Sequence, residues 1–174
     1  MVIWIMGLSA SGKTTLGRCV YEKLKKEFPN TVFLDGDEIR KIFKHDNGYE
    51  PYTLDGRKKN ADRICELCAW LDRQDVNVVC CILSIFEVSR DFNRQTLSEY
   101  FEVYIDVSMQ KLRQRETKGL YEQAEKGAIK NVVGVDMPFS PPSSPDYIFS
   151  NIEDNPDFDK IALDIIEKSK RNKR

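Results

Sequence analysis

Apolar positions open the chain as a block. Val2-Ile3-Trp4-Ile5-Met6 is an unbroken hydrophobic run bounded by Gly7, which predicts a strand buried on both faces. Leu16, Val20 and Leu24 then recur at i, i+4 spacing until Phe28-Pro29-Asn30, predicting a helix of about four turns from near Lys13. Thr31-Val32-Phe33-Leu34 predicts a second buried strand, and a short helix is expected from Glu38 to about Lys44. From Lys44 to Lys59 the pattern dissolves into a polar loop with Gly48, Pro51 and Gly56. A helix is expected from Arg57 to about Gln74, with Ile64, Leu67, Cys68 and Leu71 on one face. Val76 to Leu83 predicts a central strand, Glu87 to Ser98 a helix, and Phe101 to Val107 another strand. Prolines 138, 141, 142 and 145 lead to a last short strand, Asp146 to Phe149, and a closing helix around Ile161, Leu163, Ile165 and Ile166. This alternation predicts the α/β class: a doubly wound parallel sheet of about five strands.

The junction after the first strand carries the chemistry. Gly7-Leu8-Ser9-Ala10-Ser11-Gly12-Lys13-Thr14 fits GxxxxGK[ST] and lies between strand and helix. There the backbone N–H groups and the positive end of the helix dipole converge on one small volume suited to phosphate. Gly7 and Gly12 let the backbone approach an anion, Lys13 can reach the β- and γ-phosphates, and the Thr14 hydroxyl can hold Mg²⁺. Ser9, Ala10, Ser11 and Thr15 complete the expected ATP cradle.

At the end of the second strand, Asp35 and Asp37 would open toward that cradle, because ligands of parallel sheets bind beyond the carboxyl ends of the strands. One carboxylate can organise Mg²⁺ and the other can take a proton from an attacking hydroxyl; Asp37 can also simply cap the following helix. Leu112 to Val135 interleaves Arg113, Arg115, Lys118, Lys126 and Lys130 with Gly119, Gly127 and Gly134, the composition of a basic lid over a polyphosphate or of a solvated charged helix pair. Lys168 to Arg174 is expected to be a solvated basic tail.

Composition narrows the field. A chain of 174 residues predicts one domain, 1–174. With 27 Lys plus Arg against 28 Asp plus Glu there is no global basic field to attract nucleic acid. No apolar run is long enough to cross a bilayer and no signal-peptide layout follows Met1, so a cytoplasmic protein without a membrane partner is expected. The five cysteines, an odd number, are expected as reduced, core-facing thiols; Cys65-x-x-Cys68 lacks a second ligand pair for zinc.

With the cradle, Asp35-Gly36-Asp37 through Arg40, Lys118-Gly119-Leu120-Tyr121, and Gly134-Val135-Asp136 before Pro138 all in order, the chain resembles the adenylylsulfate kinase family over nearly its whole length. The resemblance implies a P-loop kinase fold with a helical lid, commonly a homodimer, that moves the γ-phosphate of ATP to the 3′-hydroxyl of adenylyl sulfate with Mg²⁺. It further implies Asp37 as base, Lys13 and Asp35 as catalytic partners, Thr14 and Asp35 at the metal, and Arg115 and Lys118 in the lid. Arg40, Tyr49, Arg57, Asn60, Leu83 and Ser84 would grip the acceptor nucleotide.

The chain departs from the family on the acceptor side. Ile85-Phe86-Glu87 stands where members carry Pro-Tyr-Arg, the loop before Arg57 is longer, and Val132 or Val133 occupies the place of a base-stacking aromatic. A capsule-pathway branch of the family, acting on cytidine diphosphoramidate, would suit a reduced clamp. A nucleotide-binding regulatory module without turnover is the alternative outside enzymology.

Overall fold

The computed structural model describes residues 1–171. It contains β1 (Val2–Met6), α1 (Lys13–Glu27), β2 (Thr31–Asp35), α2 (Gly36–Ile42), α3 (Leu54–Asp72), β3 (Asn77–Ile82), α4 (Glu87–Thr96), β4 (Tyr100–Asp106), α5 (Met109–Arg115), α6 (Leu120–Glu125), β5 (Tyr147–Ser150) and α7 (Phe158–Arg171). A single turn of 3₁₀ helix, Glu50–Tyr52, precedes α3.

The five strands form one sheet in the order β2-β3-β1-β4-β5, and every pairing is parallel. β1 lies at its centre, with Ile3 paired to Val79 on one side and Phe101 on the other. Because successive strand side chains point to opposite faces, β1 feeds two cores. Ile3 and Ile5 pack with Leu16, Val20 and Leu24 of α1 and Ala162, Ile165 and Ile166 of α7. Val2, Trp4 and Met6 pack with Ala61, Ile64, Cys65 and Cys68 of α3. The continuous apolar run of β1 is thus the signature of a strand covered on both sides, as expected.

Four of the expected boundaries shift. α2 starts at Gly36, and its cap is Asp35, whose side chain accepts from Asp37 N; Asp37 lies inside the first turn and is not the cap. α3 starts at Leu54, because the Thr53 hydroxyl accepts from Gly56 N at 3.1 Å and caps the helix one turn before Arg57. α5 starts at Met109, capped by Ser108, with Leu112 fully buried, so the beginning of the expected lid is core. Lys168–Arg171 form the last turn of α7 and not a tail; residues 172–174 lie outside the described residues. Cys65, Cys68, Cys80 and Cys81 are buried free thiols and Cys19 is half-buried.

Candidate active site

The carboxyl ends of β1, β2 and β3 open into one cleft of about 610 Å³. Its lining joins Ser9, Ala10, Lys13 and Thr14 to Asp35, Asp37 and Arg40, and then to Arg57, Asn60, Leu83, Ser84 and Lys118. Residues as far apart in sequence as Ser9 and Lys118 therefore meet around one space.

The loop between β1 and α1 is built by its backbone. Gly12 takes φ 95°, and a Cβ there would lie 3.1 Å from Asn151 Nδ2 and 3.3 Å from Phe158. Gly7 is pinned by proximity, since a Cβ would come within 2.9 Å of Ile105 O and of Ser11 Oγ. No side chain caps α1 and no acidic residue stands in its first turn, so the positive helix end is left for a ligand anion. The loop carbonyls, by contrast, are taken. Tyr121 OH donates to Ser9 O at 2.8 Å, Asn151 Nδ2 donates to Ser11 O at 2.9 Å, and Lys13 Nζ donates to Leu8 O at 2.7 Å. Occupying those carbonyls removes negative dipoles from the anion's surroundings.

Burial pulls the Lys13 ammonium below its ordinary value, and the nearby Cys81, Asp37 and Asp35 pull it back. Burial also pushes the Tyr121 hydroxyl up to about 12, with Glu116 adding to the shift, so it stays protonated and remains a donor. Tyr121→Phe removes that strut alone. It should cost about 1 kcal/mol of stability and raise the KM for ATP severalfold, as measured by denaturant unfolding and steady-state kinetics; a loss of stability without a change in KM would leave the strut structural only.

Thr14 Oγ1 donates to Asp35 Oδ2 at 2.8 Å, which puts a hydroxyl and a carboxylate side by side next to Lys13. Asp35 Oδ1 accepts from Asp37 N at 3.0 Å. Asp37 projects into the cleft with its side chain 81% exposed, and its Oδ1 accepts from Arg40 Nη1 at 2.7 Å. Arg40 is itself buried and lies 5.1 Å from the centre of the Tyr52 ring.

Arg57 staples another part of the cleft wall. Its Nε donates to Tyr52 O at 3.0 Å and its Nη2 to Asn131 O at 2.9 Å, joining the loop before α3 to the turn 131–136. Burial, together with Arg40, pulls the Arg57 guanidinium down. Asp136 holds the far turn, accepting from the N–H groups of Asn131 and Val132 at 2.6 Å each. Asn60 Nδ2 donates to Gly36 O at 3.1 Å. Asn60 Oδ1 and Arg40 Nε are buried without a hydrogen-bond partner among the described residues.

Several sequence-named residues stand elsewhere. Tyr49 is 56% exposed and outside the cleft lining; Tyr52, three residues on, lines it. Val132 and Val133 are both buried in the core and absent from the lining of the cleft, whose aromatic residues are Tyr52 and Phe86. Arg115 donates to the carbonyls of Asn151 and Glu153 and braces the turn behind the cradle. Gly7, Ser11 and Gly12 shape the loop and Thr15 lies in the first turn of α1; none of the four lines the cleft. Of the basic segment, Arg113 is paired with Glu125 and Lys126 with Glu122, while Lys118 reaches the cleft beside Leu120 and Gln123. Lys41, Asp46, Gln123 and Ile129 line the cleft without having been singled out; they lie in irregular or short elements where no periodic signal marks a facing side.

A phosphate cradle, an adjacent hydroxyl–carboxylate pair and a second cationic wall on a parallel five-stranded sheet define a P-loop phosphotransferase. Residues 1–150 match the adenylylsulphate kinase family, and the chain belongs to it. It is an ATP-dependent nucleotide kinase. The chain is 40% identical over 167 residues to the cytidine diphosphoramidate kinase of Campylobacter jejuni, covering 96% of this chain and 95% of that one. It is 33% identical over 146 residues to the adenylyl-sulfate kinase of Halothermothrix orenii, covering 84% and 77% respectively. The solved structure of Mycobacterium tuberculosis APS kinase in complex with AMPPNP and APS superposes with a TM-score of 0.84 at 27% identity, covering 97% of this chain and 96% of that one. No helix among the described residues is long and apolar enough to cross a membrane.

Proposed function

We propose that the chain transfers the γ-phosphate of ATP to the 3′-hydroxyl of a small nucleotide, and that the acceptor is cytidine diphosphoramidate. The observation that carries the transfer is the placing of Lys13, Thr14, Asp35 and Asp37 around one cleft. In this proposal the cradle and Lys13 hold the β- and γ-phosphates, and Asp37 takes the proton of the attacking hydroxyl while Arg40 fixes its carboxylate. Thr14 and Asp35 offer the hard oxygen ligands that Mg²⁺ prefers when it keeps waters and phosphates in its shell. Bound there, Mg²⁺ supplies neutralisation of the phosphate charge. Lys118 lines the cleft and, in this proposal, belongs to a lid that adds positive charge there.

The cytidine acceptor is supported by near full-length similarity to the C. jejuni kinase and by the acceptor wall. Tyr52 lies against the guanidinium groups of Arg40 and Arg57, and Val132 and Val133, one of which takes the place of the family's base-stacking aromatic, are buried in the core. Adenylyl sulfate is the second candidate, favoured by the intact Asp35-Gly36-Asp37 segment and by the likeness to the APS kinase of M. tuberculosis. Coupled ADP release with each acceptor at matched low concentration decides between them: a preference of more than about tenfold in kcat/KM, or 1.4 kcal/mol, assigns the acceptor. Turnover of neither would remove both acceptors and assign the kinase a different nucleotide.

For a homodimer, the surface we propose is the face of α2 and α3 that carries exposed apolar side chains. A groove of about 780 Å³ runs between Phe43, Leu67 and Trp70, beside Ile42 and Leu54, which are 70% and 55% exposed. Its rim carries Lys58, Lys59 and Arg63 against Asp55, Asp62 and Glu66, so the surface is charge-balanced and can meet a copy of itself across a two-fold axis. Trp70→Lys should give a monomer by light scattering with the fold intact; a wild-type monomer, or a variant that stays dimeric, would remove this surface from consideration.

A further inference from the structure

Ser84 stands where β3 runs out into the cleft, and its backbone takes φ 52°, the left-handed region. A residue with a Cβ stays there only when its surroundings impose it. Two buried donors do so. Trp4 Nε1, from the central strand, donates to Ser84 Oγ at 3.0 Å, and Arg90 Nη1, from α4, donates to Ser84 O at 3.0 Å.

Arg90 is held in turn. Its Nε lies 3.8 Å from Glu102 Oε1 on β4, and the two side chains are 7% and 2% exposed. The second oxygen of Glu102 accepts from Tyr100 OH at 2.9 Å and faces Arg94 Nη2 at 3.4 Å. Trp4, Arg90 and Glu102 are absent from the lining of the cleft, so none of them is placed to touch a bound nucleotide.

As a device for stability this arrangement is poor. Taking an ion pair out of water costs about as much as the attraction returns, and apolar side chains of similar size would fill the space at least as well. An apolar replacement, however, could not donate a charged hydrogen bond to the carbonyl of a strained residue. The loop it holds, Leu83 to Phe86, lines the cleft at the end of β3, the strand between β1 with its cradle and β2 with Asp35.

We propose that Trp4, Arg90 and Glu102 form a positioning relay, in which Glu102 orients Arg90, and Arg90 and Trp4 together fix Ser84 and with it the acceptor wall Leu83 to Phe86. The proposal deepens the kinase function given above and rests on it for the identity of the acceptor. Its consequence is selective: disturbing the relay weakens acceptor binding and leaves the ATP cradle alone, although Trp4 sits on the strand that leads into that cradle.

Two variants test it. Trp4→Phe keeps the ring packing and deletes the donor. The double variant Arg90→Met with Glu102→Gln removes both charges together, so that neither is left buried and unpaired. In each, the acceptor KM should rise roughly tenfold, the scale of one lost buried hydrogen bond, with the KM for ATP unchanged. Amide exchange at 83–86 should accelerate while exchange at 7–14 does not. Arg90→Lys, which retains a charged donor, should restore part of the acceptor affinity. A merely structural role would instead lower the melting temperature with both KM values unchanged or shifted together, and that result overturns the relay, as does unaltered exchange at 83–86. Failure of the wild-type enzyme to use either acceptor would strike the proposed acceptor; the exchange pattern would then judge the relay by itself.

Discussion

Lys13→Ala is expected to remove most turnover, lowering kcat by about 10²–10³, since one positioned charge-stabilising donor is worth about 3–4 kcal/mol in a transition state. The loss should come without unfolding. Among the described residues Lys13 Nζ makes a single hydrogen bond, to Leu8 O, and burial already disfavours its charge. Deleting the ammonium therefore relieves a desolvation cost while forfeiting one bond, and the melting temperature should stay where it is or rise. Measuring kcat and thermal unfolding on the same preparation separates the two effects. Near-normal kcat in that variant would sink the assignment of the cradle as the site of phosphoryl transfer.

Asp37→Asn is the second large effect. The amide keeps the shape and an acceptor for Arg40, which lies 2.7 Å away, but cannot take a proton. A general base contributes typically 10²–10⁴-fold, so kcat should fall by about that factor with the KM for ATP nearly unchanged. The Asp35 carboxylate remains beside Thr14 in this variant, and the metal-binding geometry should survive. If ATP affinity collapsed while kcat at saturation held, Asp37 would be a binding group, and the proton would have to leave by another path.

These two residues also show how legible the site was. Both lie within a few positions of a strand end, and a strand end can be found from the run of apolar residues before it. The acceptor wall was far less legible. Tyr49 and Tyr52 have the same chemistry and lie three residues apart, yet only Tyr52 lines the cleft. The 3₁₀ turn Glu50–Tyr52 buries Pro51, turns Tyr52 beneath Arg40 and Arg57 and leaves Tyr49 in solvent. No periodicity marks so short a turn, and its direction is set by the side chains it packs against. Val132 has the same history: in a segment of basic residues and glycines it reads as part of a cover, and the structure buries it in the core.

By itself the sequence determined the α/β class, the five strands, the phosphate cradle and the pair of aspartates, because each depends on residues close together in the chain and on the two-residue and 3.6-residue periods of strands and helices. Tertiary structure alone decided what holds these parts in place. Tyr121 and Asn151 reach the cradle from 112 and 140 residues away, and Arg57 joins loops 74 residues apart. Such partners leave no local trace, since a hydrogen bond between distant residues is fixed by how the helices and strands pack and not by the pattern of either segment.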